Sequence, residues 1–153
     1  MSSPSSISQP GISSLTDEAR RRLAGDLFAL EVVGAVIDEV RQGFAVCSLA
    51  VKASHQNARG VVMGGVTFTL ADIAFAAAAN SDCFAEGAPL CWTTLSSSVS
   101  FLAPACGPRL VATCQCVRRG GTTALYRTQV VDAAGTLVAE ISATAYRLRP
   151  HEG

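Results

Sequence analysis

Between Arg59 and Asp82 the chain runs for 22 residues with a single charged side chain, Asp72. The stretch, GVVMGGVTFTLADIAFAAAANS, is apolar on nearly every helical face from Gly65 onward. It predicts a helix from Gly65 to about Cys83 that is surrounded by protein, with Leu70, Ala74, Ala77 and Ser81 on one face and Phe68, Phe75 and Ala79 on another. A lone carboxylate in such a segment is costly to bury unless something pairs with it or uses it. The Gly64-Gly65 pair at its start leaves helix N-terminal amides accessible to an acceptor. Asp72 and the Gly64 amide are therefore the first candidates for chemistry.

Length alone would let this run cross a bilayer, since about 18 or more apolar residues suffice. Asp72, Thr67, Thr69 and Asn80 interrupt it, and strand-like sequence flanks it, so it reads as a core helix. The 153 residues suit one domain able to bury a substantial core. With 49% hydrophobic and 16% charged residues, the chain is apolar for a monomer, which implies a surface covered by another subunit. Zero formal charge gives nucleic-acid binding no electrostatic footing. The six cysteines include no C-x-x-C pair, and only His55 and His151 are present to join them, so no metal site is expected. Buried free thiols in a reducing compartment are the expectation. Residues 1–14, rich in serine and proline, read as a disordered lead-in without the basic and apolar regions of a signal peptide, which points to the cytoplasm.

Residues 15–149 are expected to form a single domain. Thr16-Asp17-Glu18 reads as a capped, acidic start to a helix reaching Leu30, with Leu23, Leu27 and Leu30 on one face. Strands are expected over Glu31 to Val40 and Phe44 to Lys52, joined at Arg41-Gln42-Gly43. After the helix come strands over Trp92 to Leu102, Arg109 to Arg119, Thr122 to Asp132 and Thr136 to Leu148. Leu95, Ser97, Val99 and Phe101 should share one face of the first of these; Gly120-Gly121 and Ala133-Ala134-Gly135 supply turns. An antiparallel β-sheet wrapped around a long central α-helix satisfies that order, an α+β arrangement known as the hotdog fold. Such a sheet leaves an edge strand and an open flank for a second copy to cover.

His55-Gln56-Asn57-Ala58-Arg59-Gly60-Val61-Val62-Met63-Gly64-Gly65, with Phe68 to Asp72, Ala76 to Asn80 and Phe101-Leu102-Ala103-Pro104-Ala105, resembles the hotdog-fold acyl-CoA thioesterases of the phenylacetic acid degradation type. Asn57, Gly60, Gly64, Gly65 and Asp72 match that family's pattern position by position, and the resemblance extends over about Ala29 to Leu148. It implies hydrolysis of an acyl-CoA thioester without a cofactor or metal. Asp72, Gly64 and Asn57 are the implied catalytic residues; Gly65, Met63, Thr94 and His55 lie toward the substrate. Met63 stands where the family has histidine, and a thioether neither donates a strong hydrogen bond nor carries a proton. If that histidine orders the turn, activity survives the exchange; if it meets substrate or water, rate or specificity changes.

The reaction needs a donor for the developing oxyanion and a carboxylate that attacks or activates water. Asp72 lies eight residues beyond Gly64, roughly 12 Å along a helix at about 1.5 Å per residue, too far for both to serve one carbonyl. The resemblance implies that the acid comes from the partner subunit, so that a dimer, or a dimer of dimers, is the working unit. It leaves Asp72 open as nucleophile or general base, Asn57 as a holder of the loop or of the attacking water, and Thr94 as a hydroxyl near that water. His55 also reads as a structural loop residue, and Arg118, Arg119, Arg147 and Arg149 are candidates for coenzyme A phosphates. The alternative is a non-catalytic module that binds acyl-CoA or an acyl carrier. A hydratase of the same fold is disfavoured because no histidine follows Asp72 within a few residues, and a Ser-His-Asp hydrolase because G-x-S-x-G is missing.

Overall fold

The computed structural model describes residues 11–149. Helix α1 (Ile12–Arg22) and a wide turn over Phe28–Val33 lead into β1 (Ala35–Arg41) and β2 (Phe44–Ala50). The central helix α2 (Gly64–Ala79) and the short α3 (Ser81–Glu86) follow, then β3 (Trp92–Phe101), β4 (Arg109–Arg119), β5 (Thr123–Asp132) and β6 (Leu137–Arg147). The six strands form one antiparallel sheet in the order β1-β2-β4-β5-β6-β3. All six strands contact α2, the hotdog arrangement expected from the element order.

Alanine makes that packing close. Leu70, Ile73, Ala74, Ala77 and Ala78 of α2 are essentially inaccessible to water, as are Ala45, Cys47, Leu110, Ala112 and Cys114 on the strands opposite. Small side chains bring helix and sheet backbones together, and the few large ones fill what remains. Phe75 meets Tyr126 edge to face, with ring centroids 5.4 Å apart. No helix among the described residues is long and apolar enough to cross a membrane.

Four local expectations need correction. Residues 12–14 are the first turn of α1 rather than lead-in, while residues 1–10 lie outside the described ones. Thr16 is not a cap: it sits inside α1, and its Oγ1 accepts the Val40 N–H at 2.9 Å, tying helix to strand. The helix stops at Arg22 instead of Leu30, before Gly25, and Leu27 is exposed. Glu31 to Val33 are not strand; they complete a turn closed by a Gly34 N–H bond to the Ala29 carbonyl, with Gly34 at φ +87°.

The central helix also ends sooner than Cys83. Asn80 breaks it by turning its side chain to β3: Nδ2 donates to the Trp92 carbonyl at 3.1 Å, and Oδ1 accepts from Cys91 and Trp92 N–H at 3.1 and 3.0 Å. Ser81 Oγ then accepts the Gly43 N–H at 2.8 Å. These tertiary bonds outweigh the helical continuation that composition favours. Strand β3 departs from its expected alternation as well. A bulge between Thr94 and Ser96 shifts its register, and Leu95 and Phe101 are 60% and 58% exposed. β3 is an edge strand, and beside it α2 has one uncovered stripe, with Gly65 and Asp72 exposed and Thr69 and Ala76 half-buried. Along that stripe a single chain does not surround the helix.

Candidate active site

The loop before α2 is held from inside by His55. It is buried, with Nδ1 accepting the Lys52 N–H at 3.0 Å and Nε2 bonding the Val33 carbonyl at 2.8 Å. Since a carbonyl only accepts, Nε2 carries the proton. The His55 carbonyl accepts the Met63 N–H at 2.8 Å and so places the residue that precedes α2. With both ring nitrogens engaged and the residue buried, neither nitrogen is free to bond a substrate.

Asn57 to Gly60 form a tight turn beside it. The Asn57 carbonyl accepts the Gly60 N–H at 2.9 Å, its Oδ1 accepts the Arg59 N–H at 2.9 Å, and Gly60 takes φ +75°, a conformation that favours glycine. Asn57 thus holds the loop through Oδ1, while Nδ2 has no partner among the described residues. The Asn57 N–H bonds the Val61 carbonyl at 2.8 Å, returning the chain to Met63 and the helix start.

At that start no side chain caps α2. The Met63 carbonyl takes the Val66 and Thr67 amides at 2.9 and 3.3 Å, and no acceptor among the described residues takes the N–H of Gly64 or Gly65. A 16-residue helix therefore presents free donors, backed by its dipole, where an oxyanion can be received. Gly64 borders a cleft of about 400 Å³, together with Asn57, Arg59, Val62, Phe101 and Ala103. The Phe101 ring lies against Gly64 so closely that a methyl group there would come within 2.9 Å of it. The Met63 side chain is 56% exposed and makes no bond that holds the turn; the backbone and His55 do that.

Asp72 lies two helical turns away on the uncovered stripe of α2, beside β3. Although the residue is exposed, the protein on one side strips part of the water from its carboxyl and raises its pKa above the ordinary carboxylate value. The negative charge of Asp26 pushes the same way, and a hydrogen bond from the Thr94 hydroxyl partly offsets both. A carboxylate so placed is a stronger base than one in free solution. Asp26, at the bend after α1, escaped sequence reading because its relation to Asp72 is purely spatial.

The expected site residues thus fall into two groups. Asn57, Met63, Gly64 and Gly65 gather at the helix start, whereas Asp72 and Thr94 stand together further along, and His55 belongs to neither surface. Phe101 was visible only as part of an aromatic-x-x-Pro segment; its contact with Gly64 spans distant parts of the chain. Arg119 is committed internally, 2.8 Å from the Asp82 carboxylate and 4.6 Å above the Trp92 ring, which removes it from the candidate phosphate ligands.

Residues 59–139 match the family model of the thioesterase superfamily. A putative esterase of Archaeoglobus fulgidus is 36% identical over 119 residues, 77% of this chain and 73% of that protein. Acyl-coenzyme A thioesterase PaaI of Escherichia coli is 33% identical over 119 residues, covering 77% of this chain and 81% of its own length. The solved structure of the E. coli PaaI protein, from the phenylacetic acid degradation operon, matches with a TM-score of 0.74 at 27% identity, over 89% of this chain and 97% of that one. A structure from Thermus thermophilus matches with a TM-score of 0.68 at 33% identity, over 78% of this chain and 96% of the other.

Proposed function

The chain belongs to the thioesterase superfamily and is an acyl-CoA thioester hydrolase, and from that premise we propose that its reacting centre joins the Gly64 amide of one subunit to Asp72 of another. The observation that carries this reading is the free N–H of Gly64 at the mouth of a cleft, with the acid two turns away on a stripe its own chain leaves uncovered. Along the helix the two are roughly 12 Å apart, beyond the reach of one carbonyl group. The exposed stripe and the exposed edge strand β3 are surfaces that a second copy would cover.

In this arrangement the thioester carbonyl oxygen accepts the Gly64 N–H, and negative charge grows on that oxygen as the carbonyl carbon is attacked. Glycine lets the thioester approach the backbone. The Asp72 carboxylate takes a proton from the attacking water, the C–S bond of the tetrahedral intermediate then breaks, and the departing sulfur takes that proton from Asp72, so that coenzyme A leaves as its thiol with the free acid. Thr94, whose hydroxyl lowers the Asp72 pKa, is the group that would hold the carboxylate in register with the water. Asn57, which lines the cleft and whose Nδ2 has no partner among the described residues, is the second polar group for the water or the carbonyl. Aryl-acetyl or medium-chain acyl groups suit the apolar lining from Val61, Val62 and Ala103. The six free thiols support a reducing, cytoplasmic setting.

Two inactive variants test the shared site together. Asp72→Asn should lower kcat on acyl-CoA thioesters by at least about a hundredfold, the scale of losing a general base. Gly64→Pro removes the donor N–H. Unfolding and refolding the two variants together should recover hydrolysis that neither shows when refolded alone, because mixed dimers contain one intact site. No recovery from demonstrably mixed dimers would place both groups in one subunit.

A further inference from the structure

Six cysteines lie among the described residues, and two of them differ from the rest. Cys47 and Cys114 are wholly buried, and burial pushes both thiols up, Cys114 to about 12, so neither supplies thiolate at neutral pH. Cys106 is exposed, on the loop before β4. Cys83 on α3 and Cys91 just before β3, by contrast, stand with their sulfurs 3.3 Å apart. Cys83 is buried and Cys91 is half-buried, so solvent reaches the pair from the Cys91 side.

This approach is built into the fold. The Cys91 N–H is held by Asn80 Oδ1 at 3.1 Å, and its carbonyl accepts the Leu148 N–H at 2.7 Å. The Cys83 carbonyl accepts the Ala88 N–H at 3.0 Å, which closes the end of α3. Both backbones are pinned, so the thiols meet without a search and the entropy of bringing them together is already spent on folding. Reaching a disulfide length of about 2.05 Å requires closing a gap of roughly 1.3 Å, within the range of χ1 adjustment. Burial raises the pKa of the Cys83 thiol and its hydrogen bond with Cys91 adds to that, with the Arg119 cation offsetting only a small part, so the more exposed Cys91 is the sulfur that meets an oxidant first.

We propose that Cys83 and Cys91 form a redox modification site, a dithiol that hydroperoxides convert to an intramolecular disulfide joining α3 to the start of β3. The Cys91 thiolate attacks the outer oxygen of the hydroperoxide, the O–O bond breaks, and the alcohol (water, from hydrogen peroxide) departs, leaving a sulfenic acid. The Cys83 sulfur, 3.3 Å away, then attacks the Cys91 sulfur, its proton passing to the sulfenic oxygen, which leaves as water. The dithiol loses two electrons and two protons, and the peroxide takes up both. A thiol reductant reverses the change.

Cleavage after Glu86 separates the two cysteines, which allows a direct test on the whole protein. After treatment with hydrogen peroxide and blocking of remaining thiols, the peptides carrying Cys83 and Cys91 should stay joined until reduced, with a mass lower by two hydrogens. Phenylarsine oxide, which bridges neighbouring thiols, should protect both cysteines of the untreated protein and prevent the linkage. Cys91→Ser should abolish the linkage and Cys106→Ser should leave it intact. Oxidation of Cys91 to a sulfinic acid with Cys83 still free, or linkage that appears only after denaturation, would overturn the proposal.

Discussion

A methyl group on Gly64 would stand 2.9 Å from Cζ of Phe101, so the missing side chain is what lets the strand-end ring lie over the helix start. The ring is the far end of an exposed side chain and swings aside at little cost. Gly64→Ala, which also gains helix propensity, is expected to leave unfolding free energy within about 1 kcal/mol of wild type. The displaced ring narrows the cleft, so KM for an acyl-CoA thioester should rise several-fold while kcat changes less. Denaturant melts and steady-state kinetics check this, and Phe101→Leu should suppress the rise.

The raised pKa of Asp72 sets the direction of a pH profile. As the proposed base, Asp72 works when ionised, so kcat/KM should fall as pH drops through a value above the ordinary carboxylate range. The Thr94 hydroxyl lowers that pKa, so Thr94→Val should move the acid limb to higher pH, and Thr94→Ser should return it toward wild type. An acid limb unmoved by Thr94→Val would remove Thr94 from the site.

The same shift predicts a stability change of opposite sense to the activity. A carboxyl whose pKa is higher folded than unfolded binds more protons in the native state, so stability falls as pH rises from the unfolded to the folded value. Above both values the ionised Asp72 carries its full penalty. Asp72→Asn should therefore raise the thermal midpoint at neutral pH even as activity is lost. That advantage should fade as pH falls through the window between the two pKa values and vanish below the ordinary carboxylate value. Melting curves across pH measure it.

His55 is expected to matter through structure. His55→Ala leaves the Lys52 N–H and the Val33 carbonyl without their partner in a buried setting, a loss of roughly 2–4 kcal/mol in denaturant unfolding. A comparable loss of kcat/KM under conditions where the variant is fully folded would instead show that His55 reaches the substrate.

Much of this was legible in the residues. The Gly64 to Ala79 run announces a buried helix because alanine, glycine and a near absence of charge are local properties of the chain. The strand pairs around Gly43, Gly120-Gly121 and Gly135 follow from local turn chemistry. Asp72 and Gly64 stood out because an isolated acid and an uncapped glycine start are unusual in such a helix. The end of α1, the break at Asn80 and the bulge after Thr94 were not legible. The last two depend on bonds between segments brought together by the fold, as when the Asn80 side chain takes three groups from Cys91 and Trp92.

By itself the sequence determined the helix-in-sheet architecture and singled out Asp72 and Gly64 as candidates, because periodicity, turn residues and isolated charge act over a few neighbouring positions. Only the tertiary structure decided that Asp72 lies on an open stripe beside Thr94 and Asp26, that Phe101 covers Gly64, and that His55 faces inward. Those relations arise when the curved sheet brings distant segments against one helix. Side-chain direction there is set by packing and by hydrogen bonds that no local pattern encodes.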